Sequence, residues 1–162
     1  MAVEFSAAGS QIVQPGGSVI FTANPVPCDL GLVYWRENTG MIRLASPSIL
    51  QSCRNVRPRT CCGMLMADYG VDFHANVQIP EDGEAGEIIS LAIAIDGAVD
   101  PDSSMQSTPS APEEPDNVGA GIIVPVPWIC RCSSLQVINT SAVPVEVIDP
   151  NLKIEYDGVG RR

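Results

Sequence analysis

Between Val71 and Ile79 the chain alternates without a break. Val71, Phe73, Ala75, Val77 and Ile79 are apolar, and Asp72, His74, Asn76 and Gln78 between them are polar. A period of two puts successive side chains on opposite faces, so this segment is a half-buried β-strand and not an amphipathic helix. Its neighbours follow the same rule. "EIISLAIAIDG" is almost continuously apolar, as a strand covered on both faces is, and its Asp96-Gly97 pair is a tight-turn signal. "GLVYWRENTGMIRLASP" reads as a hairpin whose reversal suits Asn38 and Gly40. "SQIVQPGGSVIFTANPV" reads as strand, Pro-Gly-Gly turn, strand.

Fourteen Gly and fourteen Pro cut the remainder into short runs. "AVDPDSSMQSTPSAPEEPDN" is a loop with a short strand near Met105 to Thr108. "VGAGIIVPVP", "ICRCSSLQVINTS" and "PVEVIDPNLKIEYDG" supply three more strands. No helical periodicity and no internal repeat interrupts this pattern. The expectation is an all-β chain of about nine or ten strands, a jelly-roll sandwich. It forms one domain over residues 10–156, with an N-terminal arm at 1–9 and a mobile C-terminal tail at 157–162. Aromatics make up only 5% of the chain, and a core so poor in large rings is easier to stabilise if subunits associate. Trp35 and Trp128 are expected to anchor the core rather than stack on a ligand.

The formal net charge is −10, and it is unevenly spread. Residues 1–59 hold five Arg and three acids, residues 60–130 hold twelve acids and no Lys or Arg, and residues 131–162 hold four of each. That balance excludes general nucleic-acid binding, which needs a basic surface. No run of about 18 apolar residues exists, so no helix spans a membrane. "MAVEFSAAGS" lacks a basic stretch followed by an apolar one, from which synthesis in the cytoplasm is expected.

Catalytic signatures are missing. There is no G-x-S-x-G, P-loop or H-E-x-x-H. His74, the one histidine, falls on the polar face of its strand and reads as a solvent-facing or inter-subunit residue. We therefore expect neither an enzyme nor a cofactor. Glu81, Asp82 and Glu84 share a turn and read as solvated, with weak Ca²⁺ binding as the lesser alternative, since the spacing is not that of an EF-hand.

The cysteines are Cys28, Cys53, Cys61, Cys62, Cys130 and Cys132. No two stand at the C-x₂₋₄-C spacing of a structural zinc site. Free or buried thiols come first, disulfides formed late second and zinc third. "CRNVRPRTCCG" brings Arg54, Arg57 and Arg59 between cysteines. Arginine forks pair with carboxylates, so this is a candidate docking loop for an acidic neighbour. A solvated loop that offsets acidic charge is the equal alternative.

"VQPGGSVIFTANPVPCDLGLVYWRENTGMIRLASP", "VDFHANVQIPEDGEAGEIISLAIAIDGAV" and "NTSAVPVEVIDPNLKIE" resemble a family of short proteins of clostridia-like gut bacteria and their phages. That family is similar to the trimeric jelly roll of tumour necrosis factor, complement-type heads and spore-surface collagen-like proteins. The resemblance covers residues 10–155. The chain departs from it where Arg131 separates Cys130 from Cys132, and in the polar, Pro-rich region from Ser104 to Asn117.

The resemblance implies a homotrimer around a threefold axis. It also implies a virion component, most naturally a phage capsid decoration protein made in the host cytoplasm and bound to the major capsid protein or another virion protein. No nucleic acid and no membrane is implied as partner. The alternative is a receptor- or glycan-binding head of a fibre or bacterial surface protein. Candidate trimer-interface residues are Ile88, Ile89, Leu91, Ile93 and Ile95 of the apolar strand, with Ile122 and Val124 of "IIVPV" as a second set.

Overall fold

The computed structural model describes residues 2–28, 32–45, 65–127 and 132–161. Cys53, Arg54, Arg57, Arg59, Cys61, Cys62, Trp128 and Cys130 lie outside the described residues. The regular elements are β1 (Ala2–Ser6), β2 (Ser10–Val13), β3 (Ala23–Val26), β4 (Val33–Trp35), β5 (Ile42–Ala45), β6 (Leu65–Gln78), β7 (Ile89–Ile95), β8 (Ala98–Val99), a 3₁₀ turn (Pro101–Ser103), β9 (Met105–Ser107), β10 (Asp116–Pro127), β11 (Cys132–Asn139) and β12 (Val145–Arg161). The chain is all-β, with two six-stranded antiparallel sheets face to face, as expected of a jelly roll.

The first sheet runs β10-β6-β12-β1-β3, with β2 also on β12; the second runs β4-β5-β11-β7-β8, with β9 also on β7. Strand β12 is 17 residues long and takes β2 along Val145–Ile148 and β1 along Asn151–Glu155. A bulge separates the two stretches. There Asp149 adopts φ 47°, and its backbone N–H and carboxylate exchange hydrogen bonds with the C=O and N–H of Gly9, at 3.0 and 2.9 Å.

Three expectations change. Residues 1–9 are not an arm: β1 pairs with β12 on one edge and β3 on the other, burying Val3 and Phe5. The tail is not separate either, because β12 continues to Arg161 against β6. The strand count rises to twelve among the described residues, because β1 and β8 are too short to show a sequence pattern, whereas the short strand expected near Met105 to Thr108 is β9.

The alternation in β6 holds. Val71, Phe73, Ala75 and Val77 are buried, and Asp72, His74 and Asn76 are exposed. Gln78 breaks it: it is buried, and its amide donates to Glu146 Oε2 at 2.7 Å. Strand β7 is covered on both faces, as its composition predicts. Asp96 and Gly97 turn it back with φ 51° and 83°, the paired positive values of a two-residue hairpin loop.

The core is aliphatic with a few ring contacts. Phe5 packs on Phe21 and Trp35, with centroids 6.3 and 5.5 Å apart. Trp35 is thus a core anchor, as expected, and its Nε1–H donates to Thr39 O. Buried polar groups are satisfied: Asn139, 1% exposed, donates to Val13 O and Val143 O and accepts from Ser141 N–H. Tyr69 OH donates to Ala45 O, tying β6 of one sheet to β5 of the other.

Candidate functional site

Two surfaces stand out. The first is the outward face of the first sheet. Cross-strand pairing sets Asp72 opposite Gly121 and His74 opposite Gly119 on β10, and opposite Lys153 and Asn151 on β12. Directly opposed residues share a face and touch. Here the β6 side chains lie down over the glycines. A Cβ on Gly119 would stand 2.6 Å from His74 Nδ1, and one on Gly121 would stand 2.5 Å from Asp72 Oδ1. The glycines leave room for this close approach, and the face is levelled as a result. Beside it Lys153 pairs with Glu155 at 3.2 Å. The His74 imidazole makes no hydrogen bond among the described residues.

Strand β10 closes this sheet and among the described residues pairs with β6 alone. Pro125 and Pro127 blunt one end of that edge, but residues 116–124 contain no proline. Such an edge carries unpaired backbone groups, which natural sheets cover or blunt. Ile123 projects from it 59% exposed, opposite Gly70.

The second surface is a cleft of about 580 Å³ at the β4–β5 hairpin, open to solvent. Tyr34 and Arg43 are directly opposed on the two strands, and Arg43 is opposed in turn by Ser134 on β11. Both Tyr34 and Arg43 line the cleft. Arg36, Met41 and Gln136 also line it. The Gln136 amide is held by Ser18 Oγ at 3.0 Å. The reversal behind the cleft is tight. Asn38 adopts φ 60°, and a Cβ on Gly40 would stand 2.5 Å from the Val19 carbonyl oxygen.

The remaining candidates are scattered. Ile89, Leu91, Ile93 and Val124 are at most 1% exposed, packed in the chain's own core. They have no surface left for a partner. β7 is moreover interior to its sheet, between β11 and the short β8 and β9. Ile88 is exposed, and Ile95 and Ile122 are half-buried. Of these candidates Ile88 keeps the most exposed side chain, and Ile123, next to Ile122 on β10, is exposed to the same degree. Cys132 is exposed, and half-buried Cys28 accepts the Leu32 N–H on its Sγ at 3.3 Å. The docking-loop arginines and the other four cysteines lie outside the described residues.

Glu81, Asp82, Glu84 and Glu87 lie in the β6–β7 turn. Gly86 N–H to Pro109 O and Glu113 N–H to Ile79 O bind that turn to the segment carrying Glu113, Glu114 and Asp116. One end is thus densely acidic, yet among the described residues no three His, Cys, Asp or Glu converge as metal ligands.

No protein-family model matches the chain, and no curated protein does. Solved structures do. The globular domain of zebrafish complement 1qA superposes with a TM-score of 0.61 at 11% identity, over 99% of this chain and 98% of that one. An Eiger tumour necrosis factor from S. frugiperda gives 0.59 at 10% identity, over 98% and 93%. The fold is therefore the jelly roll of complement heads and tumour necrosis factors. A family 35 carbohydrate-binding module from Cellvibrio japonicus reaches only 0.38, too loose a likeness to bear on function.

Proposed function

We propose that this chain is a structural virion protein rather than an enzyme. It is a homotrimeric jelly roll that decorates the capsid of a phage of clostridia-like gut bacteria, bound to the major capsid protein or another virion protein. The observation that carries this reading is the levelled outer face of the first sheet beside the proline-free stretch 116–124 of the β10 edge, with Ile123 exposed. A flat face beside an open strand edge is suited to cover by another copy. The complement-head and tumour-necrosis-factor fold supports the same reading by analogy. Attachment would come from multivalency: three modest contacts on one rigid trimer act together. The N-terminal segment, paired on both edges, is not available as a docking arm, so Arg54, Arg57 and Arg59 are the proposed contacts with the shell.

Two measurements test this. Light scattering on the isolated protein should give three chains, and Ile123→Asp should shift it to one; a monomeric parent protein ends the reading. Mass spectrometry of particles from a lysing culture should find this chain at a copy number comparable to the shell protein. A second reading, a ligand-binding head, is favoured by one observation: the hairpin cleft with its two arginines and exposed tyrosine.

A further inference from the structure

We propose that the β4–β5 cleft binds a carboxylated monosaccharide, a uronic-acid-type sugar, with Arg36 and Arg43 on the carboxylate and Tyr34 against the ring. The inference rests on the ligand-binding reading and is independent of assembly on a capsid.

Charge comes first. The chain holds 19 acids against nine Lys and Arg, yet none of the described residues lining the cleft is acidic and two are arginines. Both are exposed, and neither guanidinium has an ion-pair or hydrogen-bond partner among the described residues. Guanidinium forks not committed to other described residues are suited to a planar anion, which they grip bidentately. A divalent cation is excluded by the same charges. A polyanion is disfavoured by the net −10 of the whole chain. One carboxylate suffers little of that long-range repulsion.

Shape and polarity narrow the class further. A volume of about 580 Å³ lies within the usual range for small-molecule sites, roughly 300–1,000 Å³. Tyr34 is 46% exposed and Met41 41%. An exposed tyrosine offers an apolar ring with a polar tip. A pyranose ring matches that, with an apolar C–H face and hydroxyls around its rim. Gln136, fixed by Ser18, and Thr39 supply groups for those hydroxyls. Acetate or phosphate would use the arginines and leave Tyr34 and Met41 idle. An apolar ligand would leave the arginines unpaired.

The test is amide chemical-shift titration of the isotope-labelled full chain with glucuronate, with glucose and inorganic phosphate as comparison probes. Glucuronate should saturate shifts at residues 34–43 and at Gln136. Glucose should bind at least about tenfold more weakly, since it lacks the charge-assisted contacts. Arg36→Gln with Arg43→Gln should weaken glucuronate by about tenfold or more, and Tyr34→Ala should weaken it while leaving the phosphate response unchanged. All three positions are exposed, and an unchanged melting temperature will show that the variants fold.

Full-strength glucuronate binding by the double variant, or shifts confined to another surface, overturns the proposal. Phosphate matching glucuronate in affinity overturns it in favour of a bare anion site. Glucose matching glucuronate at these residues overturns the carboxylate but leaves the ligand-binding head standing, whereas silence from every sugar removes both. Broadening of the cleft amides with protein concentration alone assigns the cleft to a second copy and also overturns it.

Discussion

The outward face of the first sheet and the hairpin cleft of the second are made by the same device, the alternation of in and out along a strand, yet one is flat and the other hollow. The difference lies in the opposing strand. Where Asp72 and His74 meet Gly121 and Gly119, long side chains lie down and the surface levels. Where Tyr34 meets Arg43, two long side chains stand together, and with Met41, Arg36 and Gln136 they border a recess. Flatness suits a broad contact with another copy, and a recess suits a small ligand. What a strand presents is therefore a property of cross-strand pairs rather than of the strand alone.

The largest effect should come from beneath the cleft. Phe5 is 1% exposed and supports both Phe21 and Trp35. Phe5→Ala should cost about 3–5 kcal/mol, read as a lower urea midpoint. A loss below about 1 kcal/mol would mean that Trp35 is supported from elsewhere. Next is Gly40→Ala. Its new methyl would meet the Val19 carbonyl at 2.5 Å and the Ser18 Cβ at 2.6 Å, and this neighbouring chain has little freedom to retreat. A cost of about 1–3 kcal/mol follows from such overpacking, seen as a lower melting temperature. The recess depends on a buried reversal, so the cleft side should tolerate such insertions less well than the flat side.

Much of this fold is legible in the residues. Val71 to Val77 could be read because one face is wet and the other dry, and β7 because both faces are dry. The β1 strand was not legible. Five residues, "AVEFS", are too few to establish a period, and their partner lies near Ile154 at the far end of the chain. The site was harder still. Ile122 and Ile123 are adjacent, so they face opposite sides, but composition does not say which is outside; register against β6 puts Ile123 out. Gly119 gains its meaning from His74, 45 positions earlier, and only strand pairing joins them. The hairpin that carries Tyr34 and Arg43 was readable, but nothing in the sequence singled out either residue. Their assembly with Gln136 into a recess depends on β11, which no local pattern places.

A smaller effect concerns the strut between the two regions. Tyr69 on β6 donates its buried hydroxyl to Ala45 O on β5. Burial, helped by the neighbouring Tyr156, pushes the phenol well above its ordinary value. The unfolded phenol loses its proton near pH 10, whereas the native one keeps it. Its contribution to stability is therefore constant below that pH and falls as pH rises beyond it. Tyr69→Phe should cost about 1 kcal/mol at neutral pH for the lost hydrogen bond. It should also make the fall in urea stability above pH 10 shallower. An unchanged alkaline slope would show that other groups set it.

The smallest stability effect, and the sharpest test of the flat face, is Gly119→Ala. The added methyl confronts the His74 ring at 2.6 Å, the movable end of an exposed side chain, and the Phe73 carbonyl oxygen at a tight 3.1 Å. Removing a flexible glycine from a strand also lowers the entropy of the unfolded chain. The two effects oppose each other, so stability should stay within about 0.5 kcal/mol of the parent. Assembly should respond differently. A displaced imidazole roughens a face that must meet another copy closely, so the variant should dissociate at higher protein concentration than the parent in light scattering. His74→Ala on the same background gives the methyl its space and should restore association, a coupling that a double-mutant cycle measures. If Gly119→Ala destabilises the fold strongly, the level surface serves the sheet itself. If it alters neither stability nor association, that face is ordinary solvent-facing sheet, and the contrast with the cleft is one of shape alone.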